Sequence, residues 1–362
     1  MPQLNVLVTC VGGHYGIDII DSIRADRNLN ARVVGVDGNS SVTNRYFADA
    51  FHQVPLASSE PDRFTDSLLE ICRRESIDVV IPGADEEVWA LSQATAEFER
   101  AGARCAVMDF ERVDLIRDKA RFLDRAKAAG VPVPRYAAIS NAEQFEDAVT
   151  SLGYPNSRVV VKPRIGRGAR GVVIVDSAAG DQSVIPEARG YELGTAERIS
   201  KKLRLSPPAP NSLLAMEYLP GAIYDVDCLA LNGRVECIVP RERLWDTPFS
   251  RGVEGHRVVT HAEIERITRS IAELLSLSFL FDCDFGTAAD GSPGLLEVNP
   301  RWSGSVTTAR AAGINLPSLL VRLMVGMPIA MPQLEVGVEV FPVTRMAFRK
   351  TGRAALVGEP GL

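Results

Sequence analysis

At 362 residues the chain is too long for one simple core, so two or three domains are expected. A hydrophobic content of 46% with 24% charged residues is ordinary for a soluble globular protein; a net charge of −6, a pI near 5.5 and no dense Lys/Arg tract argue against a nucleic-acid partner. No apolar run approaches the roughly 20 residues of a membrane helix, and the opening "MPQLNVLVTC" lacks the basic flank and small-residue cleavage site of a secretory signal.

The first third alternates strands and helices. "NVLVTCV" runs into the turn "GGHYG", and "IDIIDSIRAD" has helical spacing. "ARVVGVD" predicts a strand, "PDRFTDSLLEICRRES" a helix and "IDVVIPG" a strand. "EEVWALSQATAEFERAG" is a further helix and "ARCAVMD" a further strand. This βα order implies a parallel, doubly wound sheet from about residue 4 to 110, with "GGHYG" and "PGADEE" sharing a cleft at the strand ends.

"VDLIRDKARFLDRAKAAG" predicts one helix, stopped by Gly130 and "VPVP". "RVVVKPRIGRGARGVVIVD" reads as two strands joined by a glycine-rich loop, and Ser177 to Asn211 as one or two helices with a linker. "LLAMEYLPGAIYDVDCLALNGRVECIVPRERLW" reads as β structure with a tight turn at Asn232-Gly233. "HAEIERITRSIAELLSL" is an amphipathic helix. "FDCDFGTAADGSPGLLEVNPR" is a hairpin turning at Asp290-Gly291, and "SVTTARAAGINLPSLLVRLMVG" is helical with a break at Gly313.

Six cysteines (Cys10, Cys72, Cys105, Cys228, Cys237, Cys283) show no C-x-x-C spacing and read as reduced thiols of a cytoplasmic protein. Four histidines without an H-x-x-x-H pair argue against a histidine-bound metal. "GGHYG" is a damaged dinucleotide fingerprint: glycines are wanted at 11, 13 and 16, and position 11 is Val11. Asp37 ends the second strand about where a ribose-binding acid would lie. A tight turn and a small-ligand contact both remain open for this loop.

The hairpin "VKPRIGRGARGV" carries more. Gly166, Gly168 and Gly171 let backbone amides approach an anion, and Lys162, Arg164, Arg167 and Arg170 add positive charge. It is not a Walker loop, and a mobile surface hairpin with solvated arginines is the alternative. In "LLEVNPRWSGS", Glu297, Asn299 and Arg301 alternate and share one strand face. Pairing around Asp290-Gly291 brings Asp284 to Glu297 and Asn299. Two carboxylates and an amide at one place repel and desolvate without a cation, which favours a magnesium site over an exposed strand edge.

The ordered set "RDKARF…AGVPVP", "VVVKPRIGRGARGV", "MEYLPG", "FDCDFG" and "LLEVNPRWSGS" resembles the ATP-grasp superfamily, in the branch with biotin carboxylase, carbamoyl-phosphate synthetase halves and amino-acid ligases. The resemblance implies an α/β fold: an N-terminal doubly wound parallel sheet, the pre-ATP-grasp domain, then a two-lobed α+β ATP-grasp domain. The expected division is a Rossmann-like domain over 1–115, a small lobe with the glycine-rich lid over 116–212, a large lobe with the Mg-ATP site over 213–330, and a C-terminal tail over 331–362.

By this resemblance Lys119 and Lys162 contact ATP phosphates, with Gly166, Gly168 and Gly171 over them. Glu217 and the Tyr218-Leu219 backbone read the adenine edge. Asp284, Glu297 and Asn299 bind Mg2+, with Mn2+ as a substitute, and Arg301 meets a phosphate or acyl phosphate. The glutamate that holds the ribose in relatives is Ile223 here, and Asp225 is the candidate replacement. The stretch from Val239 to Arg257, with Arg241, Arg243, Arg251 and His256, is a candidate acceptor-side loop.

The implied reaction is ATP-dependent activation of a carboxylate as an acyl phosphate, then attack by an amine. Small-molecule substrates and a homodimer are expected, without nucleic acid or membrane. A bicarbonate-phosphorylating enzyme is one alternative. A nicotinamide oxidoreductase is another, disfavoured because it leaves Asp284, Glu297 and Asn299 unexplained.

Overall fold

The computed structural model describes residues 3–13, 16–166, 168, 170–180, 191–244, 255–343, 346–350 and 353–356. Strands β1 (Leu4–Val8), β2 (Ala31–Asp37), β3 (Ala50–Gln53), β4 (Val79–Ile81) and β5 (Arg104–Cys105) form a parallel sheet in the order β3-β2-β1-β4-β5. Successive side chains leave opposite faces, and both faces are buried. Leu7, Val34 and Val80 pack with Phe64 and Leu68 of helix Pro61–Glu75, whereas Val6, Val8, Val33 and Val79 pack with Ile19, Ile20 and Ile23 of helix Gly16–Ala25. The chain order reverses between β1 and β4, so the crevice opens there, at "GGHYG" and "PGADEE". β3 was not expected: its four edge residues, Ala-Phe-His-Gln, three half-buried and Gln53 exposed, carry no apolar run.

The helix expected over 113–130 is two, Phe110–Arg117 and Lys119–Ala128. Asp118 sits between them with an extended backbone (φ −88°, ψ 96°), and its side chain accepts from the amides of Ala120 and Arg121. That N-cap starts a new helix and puts Lys119 in its first turn.

A second sheet contains β6 (Tyr136–Ile139), β7 (Val159–Pro163), β8 (Val172–Val175), β9 (Tyr191–Gly194) and β10 (Leu213–Glu217), in the order β6-β10-β7-β8-β9. Helices Ala142–Ser151 and Ala196–Leu205 cover one face through Phe145, Val149 and Ile199. Strand β9, parallel to β8, was not foreseen in the stretch read as helix and linker.

The third sheet comprises β11 (Ile223–Leu231), β12 (Arg234–Arg243), β13 (His256–Val258), β14 (Phe279–Thr287), β15 (Pro293–Asn299) and β16 (Glu339–Val340). Its order is β15-β14-β11-β12-β13-β16, antiparallel throughout. Asn232 and Gly233, at φ +49° and +84°, form the expected two-residue turn. Val226, Cys228, Phe281 and Cys283 pack with Ile264, Ile267 and Ile271 of helix Ala262–Leu274. Period-two alternation therefore sends Asp225, Asp227, Asp282 and Asp284 to the other face.

Helix Leu316–Val325 returns to the first sheet, where Leu320 and Val321 join the core of Ile20 and Ile23. Arg322 Nε donates to Asp26 at 2.5 Å. A final hairpin pairs β17 (Ala347–Lys350) with β18 (Arg353–Leu356). The six cysteines are free thiols, and among the described residues no helix is long and apolar enough to cross a membrane.

Candidate active site

A cavity of about 810 Å³ is walled by all three sheets. Gly12, Gly13 and Gly16 reach it from the loop after β1 and Gly83 from the loop after β4, so the two turns do share a cleft. Lys162 and Met216 to Leu219 line it from the second sheet, and Asp284, Glu297, Asn299 and Arg301 from the third.

Glu297 is the meeting point of the predicted phosphate-side residues. Lys119 Nζ lies 3.4 Å and Lys162 Nζ 3.5 Å from its Oε2, although the lysines come from different elements. Both lysines are buried, and Lys119 Nζ also donates to the Gly166 carbonyl at 2.6 Å. Burial alone would push the Glu297 carboxyl up, but the two ammonium groups outweigh it and hold it at about 2. Burial pulls the Lys162 ammonium below its usual range against the opposing pull of Glu297. Two cations held around one anion inside a cleft are an arrangement ready to receive further negative charge.

Across β14 and β15, Asp284 stands opposite Glu297 and Asp282 opposite Asn299. Asn299 Nδ2 reaches Asp282 Oδ2 and Asp284 Oδ2, each at 3.4 Å. Burial, together with the charges of Asp282, Asp225 and Glu297, pushes the Asp284 carboxyl well above the ordinary range. The oxygens of Asp284, Glu297 and Asn299 are hard donors of the kind Mg2+ takes, usually with phosphate and water completing its shell. Among the described residues no group of three acidic, histidine or cysteine side chains is placed to hold a metal ion by itself.

Arg301 lies beyond Asn299, its Nε 3.3 Å from Asp85 Oδ1 and its Nη1 donating to the Trp302 carbonyl. Glu217, Tyr218 and Leu219 lie on the opposite wall. The Glu217 carboxylate is engaged by Arg135 Nε at 3.2 Å and Nη2 at 3.1 Å, and its amide donates to the Arg135 carbonyl at 2.8 Å. Gly166 and Gly168 line the cavity; Gly168 and Gly171 have φ +60° and +72°, conformations that favour glycine. Arg164 is tied to Asp118 at 2.5 Å. Arg167, Arg251, His14 and Tyr15 lie outside the described residues.

Two expectations need correction. Arg241 does not face the cleft: it is fully buried, bonded to Asp227 and to the hydroxyls of Ser303 (2.9 Å), Ser305 (2.5 Å) and Thr308 (3.0 Å). Even alternation on β12 put it under the loop that follows Arg301. Asp225 lines the cavity but is not free for a ribose, because Arg243 Nε and His256 Nε2 engage it at 3.0 and 2.9 Å. Burial works against its charge, yet these neighbours keep its carboxyl well below the ordinary range. His256 is thereby buried in the sheet, not displayed on a loop.

Sequence reasoning missed Asp282, Asp227, Asp85 and Asp118. For Asp282 and Asp227 the signal was present, since each sits two positions from an aspartate already singled out. Asp37, the candidate ribose acid, accepts from the amides of Gly12 (2.8 Å) and Asn39 (2.9 Å), so it closes its own loop.

Residues 209–346 match the family "ATP-grasp in the biosynthetic pathway with Ter operon", and residues 6–106 match "PylC-like, N-terminal domain". The chain is 25% identical over 356 residues to the carbamoyl phosphate synthase large chain of Rubrobacter xylanophilus, covering 93% of this chain and 30% of that one. It is 33% identical over 186 residues to a formate-dependent phosphoribosylglycinamide formyltransferase of Synechococcus, covering 49% and 42%. The chain therefore spans less than half the length of these curated relatives. Among solved structures, the L-amino acid ligase of Bacillus licheniformis aligns with a TM-score of 0.63 at 16% identity, covering 88% of this chain and 73% of that one. The Hydrogenobacter thermophilus 2-oxoglutarate carboxylase biotin carboxylase domain, a dimer with MgADP and bicarbonate, aligns at 0.67 with 16% identity, covering 92% and 73%. Both share the fold.

Proposed function

The chain belongs to the ATP-grasp superfamily of enzymes, and from that premise we propose that it is an ATP-dependent carboxylate–amine ligase, forming an acyl phosphate that an amine displaces with release of ADP and phosphate. The observation that carries this is the Lys119–Glu297–Lys162 cluster beside Asp284 and Asn299, facing Met216 to Leu219 across one cavity.

In this reading the base lies along the 217–219 backbone, and Lys119 and Lys162 take the phosphates, turning from Glu297 to the ligand. Gly166, Gly168 and Gly171 bring backbone amides over them. Mg2+ bound at Asp284, Glu297 and Asn299 would offset charge on the transferring phosphoryl group; Mn2+ is expected to replace it. Arg301 faces the carboxylate or acyl phosphate, where a two-pronged guanidinium matches a planar acid. No protein nucleophile is required; positioning and charge neutralisation perform the work.

The similarity along 93% of the chain to a carbamoyl phosphate synthase large chain supports a second reading, phosphorylation of bicarbonate. Phosphate release from Mg-ATP separates the two. Release stimulated by pooled amino acids supports the ligase, and release stimulated by bicarbonate alone supports the second reading. Release with neither removes both.

A further inference from the structure

One acid in the cavity has no cation of its own. Asp225, Asp227, Asp282 and Asp284 share a face of the third sheet, with Asp227 opposite Asp282 and Asp225 opposite Asp284. Asp227 is neutralised by Arg241, Asp225 by Arg243 and His256, and Glu297 by two lysines; Asp284 has Arg243 at 3.6 Å. Asp282 forms no ion pair among the described residues. It is 4% exposed, lines the cavity, and meets only the Asn299 amide at 3.4 Å, while its Oδ1 has no hydrogen-bond partner. A buried carboxyl with an unsatisfied oxygen facing a cavity is costly unless a ligand supplies the missing partner.

Strand geometry gives its position relative to the nucleotide. Leu219, on the backbone proposed to meet the base, packs on Gly286 and Gly294 at one end of the β14–β15 pair. Asp284 and Glu297 come next along the strands, then Asp282 and Asn299, then Arg301 and Trp302. At about 3.3 Å per residue, Asp282 lies about 13 Å along β14 from Gly286. It is level with Asn299, one pair beyond Asp284 and Glu297 and on the side of the cavity toward Arg301.

We infer that Asp282 receives the ammonium group of the amine-bearing substrate. This rests on the ligase reading and deepens it: the substrate is cationic at this point, and the Asp282 carboxylate supplies the matching charge-assisted hydrogen bonds. A substrate with hydroxyl in place of ammonium keeps its shape but loses the charge that Asp282 lacks a partner for.

The test uses the full chain with Mg2+ and the non-hydrolysable nucleotide AMP-PNP, and thermal denaturation as the readout. Each of the twenty L-amino acids is titrated beside its 2-hydroxy analogue. The expected result is that at least one amino acid raises the melting temperature, and its hydroxy analogue needs about tenfold higher concentration or more, the loss of one charge-assisted bond. Asp282→Asn should reduce that gap to about twofold on the same basis and leave the shift from Mg-AMP-PNP alone intact, which also shows that the variant folds.

Equal potency of amino and hydroxy acids in the wild type overturns the inference, without needing any variant. So does a panel in which no amino acid acts, or an Asp282→Asn protein that keeps its preference. Loss of the Mg-AMP-PNP shift in that variant would make Asp282 a metal ligand instead. Amino-acid-stimulated phosphate release that is unaltered in Asp282→Asn sinks this inference alone; absence of stimulated release in the wild type sinks the ligase reading beneath it.

Discussion

Arg301 Nε stands 3.3 Å from Asp85 Oδ1, an ion pair that ties the loop after β15 to the helix after β4. The Asp85 oxygens have no hydrogen-bond partner, so Arg301 is their one charged contact among the described residues. Asp85→Asn should leave the fold and Mg-ATP binding in place and lower turnover about tenfold or more, because small misplacements of a positioning group are expensive. Arg301→Lys should cost at least as much, since a point charge cannot reproduce the two-pronged contact. Turnover within about twofold of wild type in both would make the pair structural only.

Arg241 leads to the opposite expectation. Arg241→Ala leaves Asp227 buried and unpaired, a loss of about 3–5 kcal/mol. Urea denaturation should show it directly. An Arg241→Ala protein of normal stability but poor activity would restore the acceptor-contact expectation that the structure corrects.

The acids give a pH dependence with two signs. Glu297 is held at about 2, below its ordinary 4.5, so its contribution is present above pH 4.5 and lost as pH falls toward 2. Asp284 is raised above 3.8, so the nucleotide-free fold loses stability as pH rises through its elevated value. Asp284→Asn should therefore melt higher than wild type without ligand, by about 2 °C or more at pH 8 and by less at pH 5. A lower melting point at pH 8 would contradict the repulsion.

Gly171 has φ +72°, and a Cβ there would lie 2.9 Å from Pro163 Cγ. Gly171→Ala should disturb the approach of the glycine-rich loop and raise KM for ATP several-fold with little change in kcat. Steady-state kinetics at varied ATP decides it; an unchanged KM would separate this loop from the nucleotide.

The parts of the fold that were legible had strong local signals. The parallel sheet followed from βα alternation, and the hairpins from Asn232-Gly233 and Asp290-Gly291. What was missed depends on tertiary partners. A single helix over 113–130 was reasonable by periodicity, and only the contacts of Asp118 to Arg164 and to its own helix show why it breaks. β3 and β9 are short edge strands without apolar runs. Motif order brought Lys119, Lys162 and Glu297 to one point. It could not tell Arg241 from Arg243, which share a strand face, because only the packing of Ser303, Ser305 and Thr308 over Arg241 separates it from the cavity that Arg243 lines, nor show that Asp225 and Asp37 already have partners.

Glu297→Gln bears most directly on the central claim. It keeps the volume of Glu297 and removes the charge that Lys119, Lys162 and the proposed Mg2+ site share. Phosphate release from Mg-ATP should fall by several powers of ten, with circular dichroism unchanged. Near-normal release from a folded Glu297→Gln protein would contradict the magnesium site and the phosphoryl-transfer mechanism built on it.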